Sequence, residues 1–206
     1  MILFRYQKVD GAEFLAHLDI LRHFGRTMRR AGIKVGFSQG FNPHMLVYMS
    51  APMGIGVQSY AEYCQVETDE DPDTFVEKFN ANCPKGIKCL GAWKTAGKVG
   101  VASEIVKAEY LVKGINRFDE REFLAKDEFI ITKKDGTPKN ARELIYSVEW
   151  QGDQLRCVIG FGNGLRIEKF TEKLLEIYGG GDITAIKTRG LTADERDFEN
   201  GINREK

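Results

Sequence analysis

Apolar and polar positions alternate through Ile2 to Val9, the period of a half-buried strand, and Asp10-Gly11 then supplies a turn. From Glu13 to Ala31 the period lengthens. Phe14, Leu18, Leu21 and Met28 recur at helical spacing, which predicts a helix buried along that stripe and stopped by Gly32. Strands are predicted at Met45–Ala51 and Tyr60–Glu67, a helix at Asp71–Asn82 capped by Asp71 or Asp73, and a strand at Gly86–Thr95. The resulting order is β-α-β-β-α-β, the ferredoxin-like pattern.

Ala96 to Glu104 is small and glycine-containing and reads as a linker, after which the pattern roughly repeats. Val106–Val112 is a strand, Asp119–Ala125 a short helix and Phe129–Lys133 a strand before a KKDGTPKN turn. Leu144–Trp150 and Gln154–Gly160 form a hairpin, Arg166–Tyr178 a helix and Ile183–Thr188 a closing strand. The expected fold is therefore α+β, two tandem ferredoxin-like units with antiparallel sheets, spanning residues 1–97 and 104–190. One continuous mixed sheet is the alternative. Residues 191–206 read as a charged tail, with Phe198 and Ile202 available to dock it.

Composition narrows the function classes modestly. The 206 residues carry no net charge, so no global field draws the chain to nucleic acid or membrane. The first 50 residues nevertheless hold seven Lys/Arg against three Asp/Glu, a local net of +4, whereas Glu62 to Glu77 is acidic. No apolar run approaches the roughly 18 residues of a membrane span, and no signal peptide follows Met1; a soluble cytoplasmic protein is expected. Cys64, Cys83, Cys89 and Cys157 form no CxxC pair and read as ordinary thiols. No histidine pair has metal spacing, so neither metal nor cofactor is expected.

The chemistry concentrates between the first helix and the second strand. Arg22, Arg26, Arg29 and Arg30 share one helical face, and Lys34 extends it. Guanidinium forks match phosphate oxygens, so this face suits an RNA backbone or a phosphorylated ligand; a merely solvated face is the competing reading. The following run FSQGFNPHM, Phe37 to Met45, sets Ser38, Gln39, Asn42 and His44 in a loop shaped by Gly40 and Pro43. His44 is a candidate general base, and His17 on the helix a second. Ser59 and Glu62 open the third strand, where Glu62 would fix an arginine by a bidentate pair or face outward. GFGNG (Gly160–Gly164) before a helix is a weak phosphate-loop signal that lacks the Lys-Ser/Thr ending, and GGGD at Gly179–Asp182 is a helix stop.

AHLDILRHFGRTMRRAGI, FSQGFNPHM and SAPMGIGVQSYAEY together resemble the radical SAM-linked protein family, strongly over Leu3 to Tyr63 and more loosely at KKDGTPKNARELI. The resemblance implies a domain found beside or fused to cobalamin-binding radical SAM proteins. Carried across are His17, Asp19, Arg29, Arg30, Gly40, Phe41, Asn42, Pro43, His44, Ser59, Glu62 and Tyr63; the usual proline after the histidine is Met45 here. The chain has no CxxxCxxC cluster motif and so resembles a partner of such an enzyme rather than the catalyst. In layout it also resembles the CRISPR repeat-processing endoribonucleases of the RAMP superfamily, in which a histidine-bearing first helix and a late glycine-rich loop accompany tandem ferredoxin-like units. The sequence-based expectation is an accessory module binding RNA or another phosphate-bearing ligand for a radical SAM partner. A protein-interaction scaffold, or a metal-independent endoribonuclease using His44 or His17, is the alternative.

Overall fold

Alternation in β1 (Ile2–Lys8) sends Ile2, Phe4 and Tyr6 to one side. There they join Ile20, Phe24 and Met28 of α1 (His17–Arg30) in a single buried cluster. These features belong to a computed structural model that describes residues 1–133, 135–161 and 165–202. The chain divides into two compact units: Met1–Glu104 with the segment from Asp197, and Ile105–Arg196.

The first unit continues with β2 (Val47–Met49), β3 (Gln58–Val66), α2 (Pro72–Asn82) and β4 (Ile87–Lys94). Its strands lie in the order β4-β1-β3-β2, and every neighbouring pair is antiparallel. Asp71 caps α2, accepting the amides of Asp73 and Thr74 at 3.1 and 3.0 Å, which holds its carboxyl below the usual range. Pro72 then sits where a missing N–H costs nothing. Phe75 and Phe79 of α2 bring their rings to 5.1 and 5.3 Å from that of Phe4.

The second unit runs β5 (Lys107–Ile115), α3 (Glu120–Leu124), β6 (Ile130–Thr132), β7 (Pro138–Asn140), β8 (Ile145–Gln151), β9 (Gln154–Gly160), α4 (Ile167–Tyr178) and β10 (Gly180–Leu191). Its main strands lie in the order β10-β5-β9-β8, again antiparallel, while β6 and β7 pair separately as a small ribbon. Phe123, Phe129 and Phe170 meet in its core. The fold is thus α+β with antiparallel sheets. The closing strand is longer than its sequence pattern predicts because Gly180 and Gly181 pass into it directly after Gly179 ends α4 at φ 73°. The end of the expected KKDGTPKN turn is strand: Pro138–Asn140 pairs with Ile130–Thr132.

The buried face of α1 corrects the expected stripe. The helix starts at His17, and Ala12–Phe14 is a separate 3-10 turn, so Phe14 is not on α1 at all. Phe14 and Leu18 are 66% and 63% exposed. Burial instead falls on Ile20, Phe24, Thr27 and Met28, which share the 4- and 7-residue offsets that helical geometry requires.

The opposite face of the first unit's sheet is covered by the chain's end. Phe198 is 1% exposed and meets Tyr63 edge-on at 5.3 Å. Glu199, also buried, accepts hydrogen bonds from the Tyr63 hydroxyl and from Arg5. Burial, with the Glu199 charge beside it, drives the Tyr63 pKa upward. The segment expected as a charged tail therefore contributes core. The four cysteines are free, and burial pushes the Cys89 thiol up to about 12.

On the helix-facing side, the sheet buries a polar group. Glu62 accepts hydrogen bonds from Ser59 at 2.9 Å and from Ser50 at 3.4 Å. Lys8 stands opposite Ser59 in the β1–β3 register. Burial lowers the Lys8 pKa, and the Glu62 and Glu13 carboxylates oppose that shift. Glu13 is itself held by the Gly11 amide at 2.8 Å and the Gln58 side chain at 3.2 Å.

Two stability predictions follow from these contacts. Phe198→Ala should cost about 3–5 kcal/mol, read as a lower urea midpoint, whereas a mobile tail would leave the midpoint in place. Glu62→Ala, which strands two buried serine hydroxyls and removes a carboxylate that favours the charged form of Lys8, should cost about 3 kcal/mol in the same assay.

Candidate functional site

The solvent face of α1 carries the arginines. At about 100° per residue, Arg22, Arg26, Arg29 and Arg30 fall within an arc of about 100°, opposite the buried face. All four are exposed. Their partners separate them. Arg22 pairs with Asp19 at 2.9 Å in an exposed bridge one turn along the helix, an interaction of small net value. Arg30 donates to Thr27 Oγ1 at 3.3 Å and to the Asn82 carbonyl, the last of α2, so it ties two helices together. Arg26 and Arg29 have no hydrogen-bond or ion-pair partner among the described residues.

The loop from Phe37 to Met45 is held at its base by three backbone bonds. Gly36 N–H donates to Glu67 O at 2.7 Å, Leu46 N–H to Gly36 O at 2.9 Å and Glu67 N–H to Leu46 O at 3.2 Å. A Cβ at position 36 would lie 2.8 Å from Glu67 Cδ, so the Glu67 side chain folds over this glycine and would have to move for a larger residue. Above the base, Phe37 and Met45 form an antiparallel bridge, and Ser38 N–H donates to His44 O at 2.9 Å. Gly40, at φ 124°, turns the tip.

Ser38 and His44 are locked together twice. The His44 amide donates to Ser38 Oγ at 3.1 Å, and Ser38 Oγ lies 2.8 Å from His44 Nδ1. With the hydroxyl proton directed at Nδ1, the neutral ring carries its own proton on Nε2, which is left as an outward donor. The imidazolium presents the same Nε2–H. His44 is therefore oriented by Ser38, and Gln39, Asn42 and His44 are exposed with it.

The loop meets the arginine helix at Gly25. Met45 Sδ rests so close over it that a Cβ at position 25 would sit 3.3 Å away. Arg22 and Arg29 are the i−3 and i+4 neighbours of Gly25 on the same helix surface. The strand leaving His44 thus returns against α1 along the edge of the arginine face.

Not every expected residue joins this surface. Ser59 and Glu62 are buried in the polar group beneath the helix, where Glu62 accepts hydrogen bonds from Ser59 and Ser50. His17 is half-buried on the inward side of α1, in line with Ile20 and Phe24. The glycine-rich GFGNG run lies largely outside the described residues, at 162–164. No sequence motif marks a groove of about 570 Å³ at the loop's base, lined by Lys34, Gly36, Glu67, Asp69, Glu70 and Lys78 among others. Its sequence signal was the acidic TDED run two residues after the glutamine-valine end of β3. Lys78 is already neutralised there by Glu70 at 2.9 Å.

In the second unit the sheet's cations are largely spoken for. Glu109 is gripped by Arg156 through Nε and Nη2 at 2.9 and 2.6 Å and by Thr188 at 2.7 Å. Burial raises its pKa, but those hydrogen bonds outweigh burial and leave the carboxyl below its usual range. Lys107 is paired with Glu195 at 2.9 Å and lies 3.7 Å from the centre of the Tyr146 ring. No described helix is long and apolar enough to cross a membrane.

Among solved structures, the chain is similar to an H/ACA RNP bound to a substrate RNA containing 2'-deoxyuridine and to the archaeal box H/ACA sRNP Nop10-Cbf5 complex. Each match has 12% identity and a TM-score of 0.45, and covers 92% of this chain but 47% of the other, so the chain spans about half the length of those neighbours. An unknown protein from Galdieria sulphuraria matches at 13% identity and a TM-score of 0.27, over 90% of this chain and 96% of its own. No curated protein matches the chain. Residues 1–173 match the model of a family described as "Uncharacterized protein conserved in bacteria (DUF2344)", and the chain belongs to that family.

Proposed function

We propose that this protein is a cytoplasmic RNA-binding accessory module whose α1 arginines and Phe37–Met45 loop grip the phosphate backbone. The single observation that carries the reading is the pair Arg26 and Arg29, two exposed guanidinium groups without a partner among the described residues, beside a loop whose base rests on the same helix. Unpaired arginines keep their full hydrogen-bonding capacity for phosphate oxygens. His44 Nε2–H, with the Gln39 and Asn42 amides, adds directional donors at the same edge.

The site is narrower than the sequence pattern suggests: Arg22, Arg26, Arg29, Ser38, Gln39, Asn42 and His44 form it, Arg30 braces it, and Ser59 and Glu62 support the fold below. Binding suits this arrangement better than strand cleavage, since His17 lies on the inward side of α1 and His44 is in the exposed loop. The matching fourth-first-third-second strand orders support reading the chain as two tandem ferredoxin-like domains, at 1–97 and 104–190. The likeness to radical SAM-linked proteins supports a radical SAM enzyme as the partner that acts on the bound RNA.

The test is fluorescence anisotropy with labelled tRNA or rRNA fragments across a salt series. Arg26→Ala with Arg29→Ala should weaken binding at least tenfold. It should also flatten the dependence of log K on log salt by about 1.4, at about 0.7 per lost single-strand phosphate contact. Wild-type affinity in the double variant would remove the role.

A further inference from the structure

We infer that the RNA is single-stranded where it meets the loop, and that one unpaired base stacks on the ring of Phe41. This rests on the RNA-binding reading above and adds the form of the ligand to it.

Phe41 is fully exposed at the tip of a loop whose stem is fixed. A phenylalanine left wholly in water forfeits the burial that ordinarily places this residue type inside. It is no stray surface residue of a slack segment. The Phe37–Met45 bridge, the doubled Ser38–His44 lock and the Gly36–Glu67 base fix the backbone beneath it. Gln39 and Asn42 lie two residues before it and one after it in the loop, and their side-chain amides both donate and accept and so suit the edges of an unpaired base.

The arginine face lies alongside. An aromatic platform next to a cationic track is how single strands are held without regard to sequence: phosphates on the cations, a base on the ring. A duplex offers the phosphates but keeps its base faces closed, so it would use Arg26 and Arg29 and leave Phe41 idle. The unpaired guanidinium groups favour a polyanion over an apolar protein pocket as the occupant.

The experiment measures anisotropy of one labelled 12-nucleotide RNA, alone and annealed to its complement, against wild type, Phe41→Ala, Phe41→Trp and Arg26→Ala/Arg29→Ala. The expected result is tighter binding of the single strand. Phe41→Ala should weaken it about tenfold, the value of one lost base–aromatic stack. The same change should leave duplex affinity and the salt slope as they were, and Phe41→Trp should restore the single-strand affinity. Because Phe41 touches no core, an unchanged melting temperature will confirm that the variant is folded.

Equal affinity of wild type for both forms, or single-strand binding untouched by Phe41→Ala, overturns the inference while the arginine dependence still stands. Absence of binding to either RNA overturns the inference and the RNA reading together. So does capture of a stoichiometric protein partner that needs Phe41 and excludes RNA.

Discussion

Two backbone hydrogen bonds to Glu67 decide where the chemistry of this protein can be. Gly36 N–H gives its proton to the Glu67 carbonyl, and the Glu67 amide gives its own to Leu46. Both ends of the nine-residue loop are thereby sewn to the residue that follows β3, and β3 is hydrogen-bonded along its length to β1. A loop joining α1 to β2 would otherwise be free to swing on its own. Gly36 suits this arrangement because the Glu67 side chain lies where a Cβ would point, and a larger residue would have to push it aside. Gly25 performs the matching service on α1, admitting Met45 against the helix backbone.

Much of this was legible in the sequence, for identifiable reasons. β1 and the order of elements in the first unit follow from a period-2 pattern and from turn residues, and Asp71-Pro72 marks the start of α2 chemically. The arginine face follows from spacing alone. What misled was α1's apolar side. Phe14 and Leu18 fit a helical template in the sequence, but the template assumes that the helix begins at Glu13. Leu15 and Ala16 are extended, which breaks the phase between Phe14 and the helix. A sequence pattern shows which residues share a face only when the helix start is known, and α1 has no side-chain cap to announce it.

Glu62 was opaque for a different reason. Its strand neighbours Ala61, Tyr63 and Cys64 are all buried, so nothing in the alternation reveals which side is wet. The carboxylate is tolerated because Ser59 of its own strand, Ser50 from before β3 and the charge of Lys8 on β1 all act on it, and the last two are a convergence that spacing along one strand cannot encode. Phe198 was legible as a residue able to dock the tail, but its partner was not, nor was the role of Glu199: Tyr63 and Arg5 lie more than 130 residues earlier.

The distribution of satisfied and unsatisfied charge then distinguishes scaffold from surface. Inside the first unit, Glu13 and Glu199 are fully engaged by hydrogen bonds, and in the second unit Glu109 gathers Arg156, Thr188 and Arg189 around it. Such clusters pin strands together and have little left to offer a ligand. On α1 the opposite holds. Asp19 is the carboxylate that reaches an arginine there, and it takes Arg22 in a solvent-exposed bridge that a phosphate can displace at small cost. Folding has no use for Arg26 and Arg29, and their mutual repulsion on one helix face is a cost that stability alone does not explain. Two guanidinium groups stay open there beside an oriented histidine and a bare aromatic ring, so cations, a directional donor and a π-face share one edge.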